Sequence, residues 1–258
     1  MPNTALITGA SSGIGREFAR LHARNGGDVI ITARRSEALE ALKTELETDH
    51  KVTVTTIPRD LGAEGGAQKL YDAVRATGAR VDILINNAGF GGHGKFIERE
   101  LQADQAMIDL NVDALIALCH MFGRDMVAQG GGKILNVSST AAHMPGPLQA
   151  TYFATKAFVS SFSQALAEEL KDDRVTVTAL EPGYVETGFA EAADLEGTGL
   201  VRQKGMTAAE TARIGYHAMN SGKLTVINEG RVRFVLNWVL PFMPQKAKLS
   251  MVRKMQEK

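Results

Sequence analysis

Tyr152 and Lys156 stand four residues apart in the run Tyr152-Phe153-Ala154-Thr155-Lys156, shortly after Asn136-Val137-Ser138-Ser139. The stretch from Thr151 to Lys171 is helix-compatible throughout, and a spacing of four places a phenol and an ammonium on one helical face. Coulomb attraction between the two charges about 5 Å apart, at an effective dielectric of ~20, amounts to roughly 3 kcal/mol, which lowers a phenol pKa by about two. On that ground the Tyr152 phenol is expected below its ordinary value, usable as a general acid or base near neutrality in a carbonyl-reducing site. Taken alone, a Tyr/Lys pair on a helix is more often surface packing, so the elements around it must carry the assignment.

Those elements begin with the apolar strand Thr4-Ala5-Leu6-Ile7-Thr8, which passes into Gly9-Ala10-Ser11-Ser12-Gly13-Ile14-Gly15 and the helical run Arg16 to Arg24. Gly9 permits a tight turn, Gly13 a close approach of backbone to a pyrophosphate, and Gly15 close packing of helix on strand, with the helix dipole facing the phosphates. The spacing Gly-x3-Gly-x-Gly differs from the commoner Gly-x-Gly-x-x-Gly fingerprint; a glycine-rich turn without a ligand is the alternative. About twenty residues on, where such folds read the ribose, the strand Val29 to Thr32 ends in Ala33-Arg34-Arg35. No carboxylate is there to take the 2′-hydroxyl of NAD, whereas a guanidinium suits the 2′-phosphate of NADP. NADP(H) is therefore expected over NAD(H). Arg34 and Arg35 also precede a helix that Ser36 can cap, where cations are slightly unfavourable; two solvated arginines are the alternative.

With Thr8-Gly9, Gly13, Gly15, Asn86-Asn87-Ala88-Gly89, Asn111, Ser139, Tyr152, Lys156 and Pro182-Gly183 in this order, nearly the whole chain resembles the classical short-chain dehydrogenases/reductases. The stretch Ile134 to Phe162 is similar to the broad bacterial branch labelled DltE-like. The resemblance implies that Ser139, thirteen residues before Tyr152, holds a carbonyl oxygen, with Ser138 its structural neighbour. It implies that Tyr152 delivers a proton to that oxygen, that Lys156 binds the nicotinamide ribose and lowers the phenol pKa, and that Asn111 supports a water in the proton relay. Ser11, Ser12 and Ile14 would join the glycines around the cofactor, and Asp60 with Leu61 would meet the adenine. Asn87, Ala88 and Gly89 would flank the cofactor, and Pro182, Gly183, Val185 and Thr187 would cover the nicotinamide and its phosphates. Residues 190–206 would form a substrate lid whose glycines and charges suggest mobility. The helices around Asn111 and Tyr152 would join subunits into a homodimer or homotetramer.

Structural readings stand beside these. Asn86 to Gly89 can be a turn closing the strand Asp82 to Ile85, Asp60 can cap the following helix, and Asn111, a poor helix former, calls for a side-chain partner or a local kink.

The chain has 258 residues, seven prolines and no linker or repeat. Apolar runs at Val52 to Val54, Asp82 to Ile85, Lys133 to Val137 and Val175 to Leu180 alternate with helical stretches. That is the pattern of a single α/β domain of Rossmann type, doubly wound, with helices on both faces of a parallel sheet. About seven strands are expected, the seventh near Leu224 to Asn228. Residues 1–100 would mainly bind cofactor, 101–230 would hold the catalytic and substrate half, and 231–258 form an apolar and basic extension. Formal charge is zero, which gives no electrostatic case for nucleic acid. Six histidines show no metal-ligand spacing, and Cys119, the single cysteine, reads as a buried small hydrophobe. The first strand begins within a few residues of Met1 and no run reaches ~18 uninterrupted apolar residues, so a cytoplasmic protein is expected. His93 reads as a surface-loop residue in preference to a wall of the substrate mouth. Phe234 to Pro244 is apolar and is followed by Lys246, Lys248, Arg253 and Lys254. A subunit contact or a lid is expected there over an interfacial membrane anchor, because Pro241 and Pro244 break a long amphipathic helix.

The function these readings favour is hydride transfer between NADP(H) and a small-molecule carbonyl or secondary alcohol, an apolar ketone or aldehyde. A catalytically silent NADP(H)-sensing binding protein and a membrane-associated ketoacyl or lipid reductase are the alternatives. The intact set Asn111, Ser139, Tyr152 and Lys156 weighs against the first of them.

Overall fold

The computed structural model describes residues 3–202 and 204–258. Its first half runs β1 (Thr4–Thr8), α1 (Gly13–Arg24), β2 (Asp28–Ala33), α2 (Ser36–His50), β3 (Val54–Pro58), α3 (Gly66–Ala76) and β4 (Ile83–Asn86). It continues through α4 (Leu101–Ile108), α5 (Ala114–Ala128), β5 (Gly132–Val137), α6 (Ala150–Glu169) and β6 (Val175–Leu180). Then come β7 (Val185–Glu186), α7 (Phe189–Ala192), β8 (Met206–Thr207), α8 (Ala208–Asn220), β9 (Thr225–Val226), α9 (Gly230–Phe234) and α10 (Gln245–Gln256). Seven strands form one sheet in the order β3-β2-β1-β4-β5-β6-β9, every pair parallel.

Alternate residues of each strand feed opposite layers, as the two-residue period of a pleat requires. Ile7, Ile31, Ile85 and Leu135 meet Phe18, Leu39, Leu46 and Met219 from α1, α2 and α8. Leu6, Ile30, Leu84 and Ile134 meet Leu70, Leu118, Phe122 and Val159 from α3, α5 and α6. A sheet covered on both faces explains why its central strands are apolar without interruption.

The third strand begins at Val54, not Val52. Register decides this, since Val29 pairs with Val54 and Ala33 with Pro58, and at the sheet edge the hydroxyls of Thr55 and Thr56 need not be excluded from water. The seventh strand has shrunk to Thr225–Val226, and β7 pairs with β8 in a small second sheet that the apolar pattern does not announce. Ser36 is the first residue of α2 rather than its cap; Arg35 holds that position in extended conformation, without a capping bond.

Leu101 to Ala128 is one helical course, long and apolar enough by length and composition to cross a membrane. Here its inward residues pack under the sheet. Cys119 is among them, buried as expected, and burial pushes its thiol up to about 12. The course is broken only by a π-helical turn at Asp109–Asp113 around the buried Asn111. At the chain end, Pro241 and Pro244 interrupt the helical course, as expected from the sequence. α9 runs on through a π-helical turn (Val235–Val239) and a 3-10 turn (Leu240–Phe242) before Pro244 precedes α10, so the prolines mark the corner of a helical hairpin.

His22 is wholly buried on α1, with Nδ1 2.8 Å from the Tyr216 hydroxyl and Nε2 3.1 Å from the Asn3 carbonyl. Burial holds its pKa below the ordinary 6.5, so the unfolded chain takes up the proton first, and stability present above pH 6.5 must fall as the solution is acidified through the folded value. Urea unfolding followed from neutral pH downward should show this loss. It should be smaller in His22→Gln, compared with that variant's own neutral stability.

Candidate active site

β1 and β4 are neighbours although two strands and three helices separate them in the chain, which opens a crevice at their carboxyl ends. The glycine turn and Asn87 close onto each other there. Gly9 has a φ of +67°, and a Cβ on it would lie 2.8 Å from Asn87 Nδ2 and 2.9 Å from Ala88 Cα. The Thr8 hydroxyl accepts from the Asn87 and Ala88 amides, both at 2.9 Å, and Asn87 Nδ2 donates back to Thr8 O at 2.9 Å. Gly15 packs tighter still, its absent Cβ 2.5 Å from Gly9 O. Ser12 caps α1 with no side-chain bond, so the amides of the first turn lack a side-chain acceptor, the arrangement that receives phosphate. Gly13 faces Thr187 across the turn, with Thr187 Cγ2 3.3 Å from where a Cβ would stand. Ile14 turns toward the apolar layer.

Both arginines after β2 are exposed, and Arg35 reaches the turn, its Nη2 donating to Ser11 Oγ at 3.1 Å. Arg16 was not foreseen. It folds back from the first turn of α1 to donate to Ser11 O at 2.7 Å, and its place directly after Gly15 was the available signal. The Nε atoms of Arg16 and Arg59 are buried without a partner. A glycine cradle beside guanidinium groups with unused donors fits the phosphates of a dinucleotide. Asp60 is exposed, accepting from the Gly62 amide at 3.0 Å; it does not cap α3, whose cap is Gly65. Leu61 is buried in the apolar layer.

Across the crevice, the loops after β5 and β6 are tied together, Ser138 N donating to Leu180 O at 2.7 Å and Thr140 N to Pro182 O at 2.9 Å. Ser139 thereby sits over the sheet end, its hydroxyl accepting from Ala141 N and donating to Pro182 O over a long 3.4 Å. Gly183 donates to Asn228 Oδ1 at 3.0 Å, and Val185 is buried in β7. From α6, Lys156 donates to Val137 O at 2.9 Å and stands 5.8 Å from the centre of the Tyr152 ring. Gly89 closes the group, since a Cβ on it would lie 2.9 Å from Asn111 Oδ1 and 3.5 Å from Lys156 Nζ.

The structure corrects the expected sign at Tyr152. Burial pushes the phenol up to about 12, against a smaller lowering by the Ser139 hydroxyl, and pushes Lys156 down to about 8. The Coulomb argument from sequence assumed a solvated pair. Here desolvation penalises both charged forms, and the ammonium spends one donor on Val137 O.

Asn111 has both the partner and the kink its helix position called for. Its side chain takes the Phe90 amide at 3.1 Å and gives to Phe90 O at 2.9 Å and Thr155 Oγ1 at 3.2 Å, which pins the loop after β4 to α6. Sequence reasoning also missed Glu181. It is buried, accepts from Ser160 Oγ at 2.7 Å and lies 2.9 Å from His143 Nε2; Ser138 Oγ stands 2.8 Å from both Ser160 Oγ and Lys156 O. Phe189 was missed as well. Its ring tilts against that of Tyr152, 5.5 Å between centres, over Gly91, where a Cβ would lie 2.9 Å from Phe189 Cζ and 3.2 Å from Tyr152 Cδ2.

Part of the segment expected to be a mobile lid packs on itself and on the chain end. Ala190, Ala193 and Leu195 form a small core with Tyr184 and Leu200, the Leu200 amide donates to Met255 O at 3.1 Å, and Lys258 pairs with Asp194. Arg202 and Lys204 flank position 203, which lies outside the described residues. His93 is half-buried; its Nε2, 2.7 Å from Gln256 O, must carry the proton. That bond fastens the loop after β4 to the end of α10.

A doubly wound parallel sheet with a phosphate cradle at its switch point, and a Ser, Tyr and Lys gathered at the next strand ends, defines a nicotinamide-nucleotide oxidoreductase. The chain belongs to the short chain dehydrogenase family, whose model matches residues 3–196. It is 38% identical over 191 residues to a serine 3-dehydrogenase of Agrobacterium fabrum, covering 73% of this chain and 74% of that protein. Among solved structures it is similar to a short-chain dehydrogenase from Sphingobium yanoikuyae in complex with NADPH, 32% identical with a TM-score of 0.84, covering 91% of this chain and 90% of the other. It is also similar to a bulky-bulky ketone specific alcohol dehydrogenase from Comamonas testosteroni, 28% identical with a TM-score of 0.78, covering 95% and 96%. The protein is an NAD(P)-dependent oxidoreductase.

The turn offers a direct check. Gly9→Ala must strain a positive φ and collide with the Ala88 backbone, whereas Gly26→Ala meets the same strain (φ +79°) with nothing within 4 Å. Urea unfolding should place Gly9→Ala below Gly26→Ala by about 1–3 kcal/mol, the usual cost of overpacking.

Proposed function

We propose that the protein reduces apolar ketones or aldehydes with NADP(H), with Tyr152 as proton donor. The observation that carries this reading is the Tyr152 phenol, held protonated by burial between Ser139 and Lys156 and walled by the Phe189 ring. The bound nicotinamide supplies the hydride. Ser139 releases its long bond to Pro182 O and turns its hydroxyl, with that of Tyr152, toward the carbonyl oxygen; loss of one such donor typically costs about 10² to 10³ in rate. Tyr152 then passes its proton to that oxygen as negative charge develops there. At neutral pH a phenol raised to about 12 carries its proton and is available as a donor. Lys156, charged below about pH 8, keeps donors free beyond Val137 O for the ribose hydroxyls and its charge eases the loss of the phenolic proton. Asn111 acts as a positioning residue through Phe90 and Thr155.

Arg35, which reaches the turn, and Arg16 and Arg59, whose Nε donors have no partner, support NADP(H) over NAD(H), because a 2′-phosphate would accept charge-assisted bonds from them. The apolar substrate class rests on Phe189 over Gly91, with Ala193 Cβ beside it. The relatives' names range from serine to bulky ketones, so this wall, not the kinship, argues the class. Exposed Ile108 and Phe158 on the helices carrying Asn111 and Tyr152 support a homodimer or homotetramer joined there, and the reading places the enzyme in the cytoplasm.

NADPH and NADH oxidation over a panel of aldehydes, aliphatic and cyclic ketones and 3-ketoacyl thioesters tests the whole reading. Turnover should prefer NADPH and apolar ketones, and Tyr152→Phe should lose at least about nine-tenths of it, the least that loss of one positioned proton donor costs, while NADPH still binds. Retention of activity in that variant overturns the assignment. Arg35→Ala should weaken NADPH binding and leave NADH binding near its starting value. Because Lys156 loses its charge as pH rises through about 8, NADPH affinity should fall across that pH by fluorescence titration, and a flat profile would remove the lysine from the ribose.

A further inference from the structure

The helical course from Gly230 to Phe242 is apolar on two opposite faces. Val232, Leu236 and Leu240 point inward at a spacing of four, packing with Ile227, Met144 and Met251. Phe234, Val235, Trp238, Val239 and Phe242 recur on the other face and stay open, Trp238 at 68% exposure and Phe242 at 82%. A stripe of this kind on a helix must be covered by something.

Charge identifies the cover. Residues 230–258 hold seven of the basic residues and one acidic residue, so this hairpin carries a formal +6 and the remainder of a neutral chain −6. Arg253 pairs with Glu257 and Lys258 with Asp194. Arg231, Arg233, Lys246, Lys248 and Lys254 have no carboxylate partner among the described residues. A two-fold contact whose axis passes through this stripe would set its unpaired cations against their counterparts. An anionic bilayer offers the opposite: hydrocarbon for Trp238 and the phenylalanines, and headgroup charge for the rim. The prolines do break a long helix, but the apolar stripe from Phe234 to Phe242 lies before the break at Pro244.

We propose that the C-terminal hairpin is a docking surface for anionic membranes, entered by Phe234, Trp238 and Phe242 and held electrostatically by Arg231, Arg233 and Lys246. The surface stands independently of the substrate reading.

Trp238 is the single tryptophan, so intrinsic fluorescence of the full-length protein reports on this face alone. Vesicles of phosphatidylcholine mixed with phosphatidylglycerol should shift its emission to the blue and carry protein into the pellet. Pure phosphatidylcholine should do neither, and high salt should reverse both effects. Arg233→Glu and Lys246→Glu should each weaken partitioning by at least about fivefold, the equivalent of ~1 kcal/mol per cation. Phe242→Ser should abolish the blue shift with the thermal unfolding midpoint unchanged, since its side chain packs in no core. Absence of a shift on anionic vesicles overturns the proposal. A blue shift that instead grows with protein concentration in the absence of lipid, with a dimer in sedimentation that Phe242→Ser dissolves, overturns it in favour of a second copy of the chain.

Discussion

An ammonium that is only 6% exposed, fixed to the last carbonyl of β5, is the constraint on which the site depends. A buried lysine is tolerated only with its donors engaged, and the bond to Val137 O exists only because α6 lies across the end of the sheet. That placement is in turn secured by Ser138 between Lys156 O and Ser160, and by Asn136 Nδ2 bonding Ser163 Oγ at 2.9 Å. The polar network under α6 and the apolar layer around Val159 thus hold one helix to two independent references. Desolvation at this point sets both unusual protonation behaviours, raising the phenol and lowering the ammonium.

The cradle is built by a different economy. Thr8 uses one hydroxyl to accept two amides from the loop after β4, and Asn87 returns a bond to Thr8 O. These bonds leave β1 and β4 closed on each other while the amides of the first turn of α1 stay open. Positive φ at Gly9 and Gly13 is tolerated because neither residue has a Cβ to clash with its own backbone, and the missing Cβ also leaves room for Asn87 and Thr187. The turn is thereby organised without a ligand, which would keep the ordering cost of the proposed cofactor binding low.

Sequence showed most of this because strands buried on both faces leave few choices. Val175–Leu180 was legible to the residue, and Tyr152, Lys156, Ser139 and Gly9 fall where their spacing placed them. The misreadings have physical causes. β3 was displaced because edge-strand threonines carry no apolar signal. The shift at Tyr152 came out with the wrong sign because solvent exclusion is a tertiary quantity, invisible in an i, i+4 spacing. Phe189, Arg16 and Glu181 act through contacts made by folding, Phe189 and Tyr152 being thirty-seven positions apart in the chain, and nothing local marks them.

The C-terminal extension shows how one segment can serve two demands at once. Its second arm supplies Val252 to the small core of Ala141 and Phe153, against which Tyr152 packs, and Gln256 receives His93 and Gln149. Met144 and Met251 belong both to this core and to the one under Leu236 and Leu240. Methionine adapts its shape at little cost, so the two cores share a soft wall rather than a rigid one. The interior face of the hairpin consequently explains why the segment is folded, and leaves its outer apolar stripe and its segregated positive charge without a structural purpose inside the monomer.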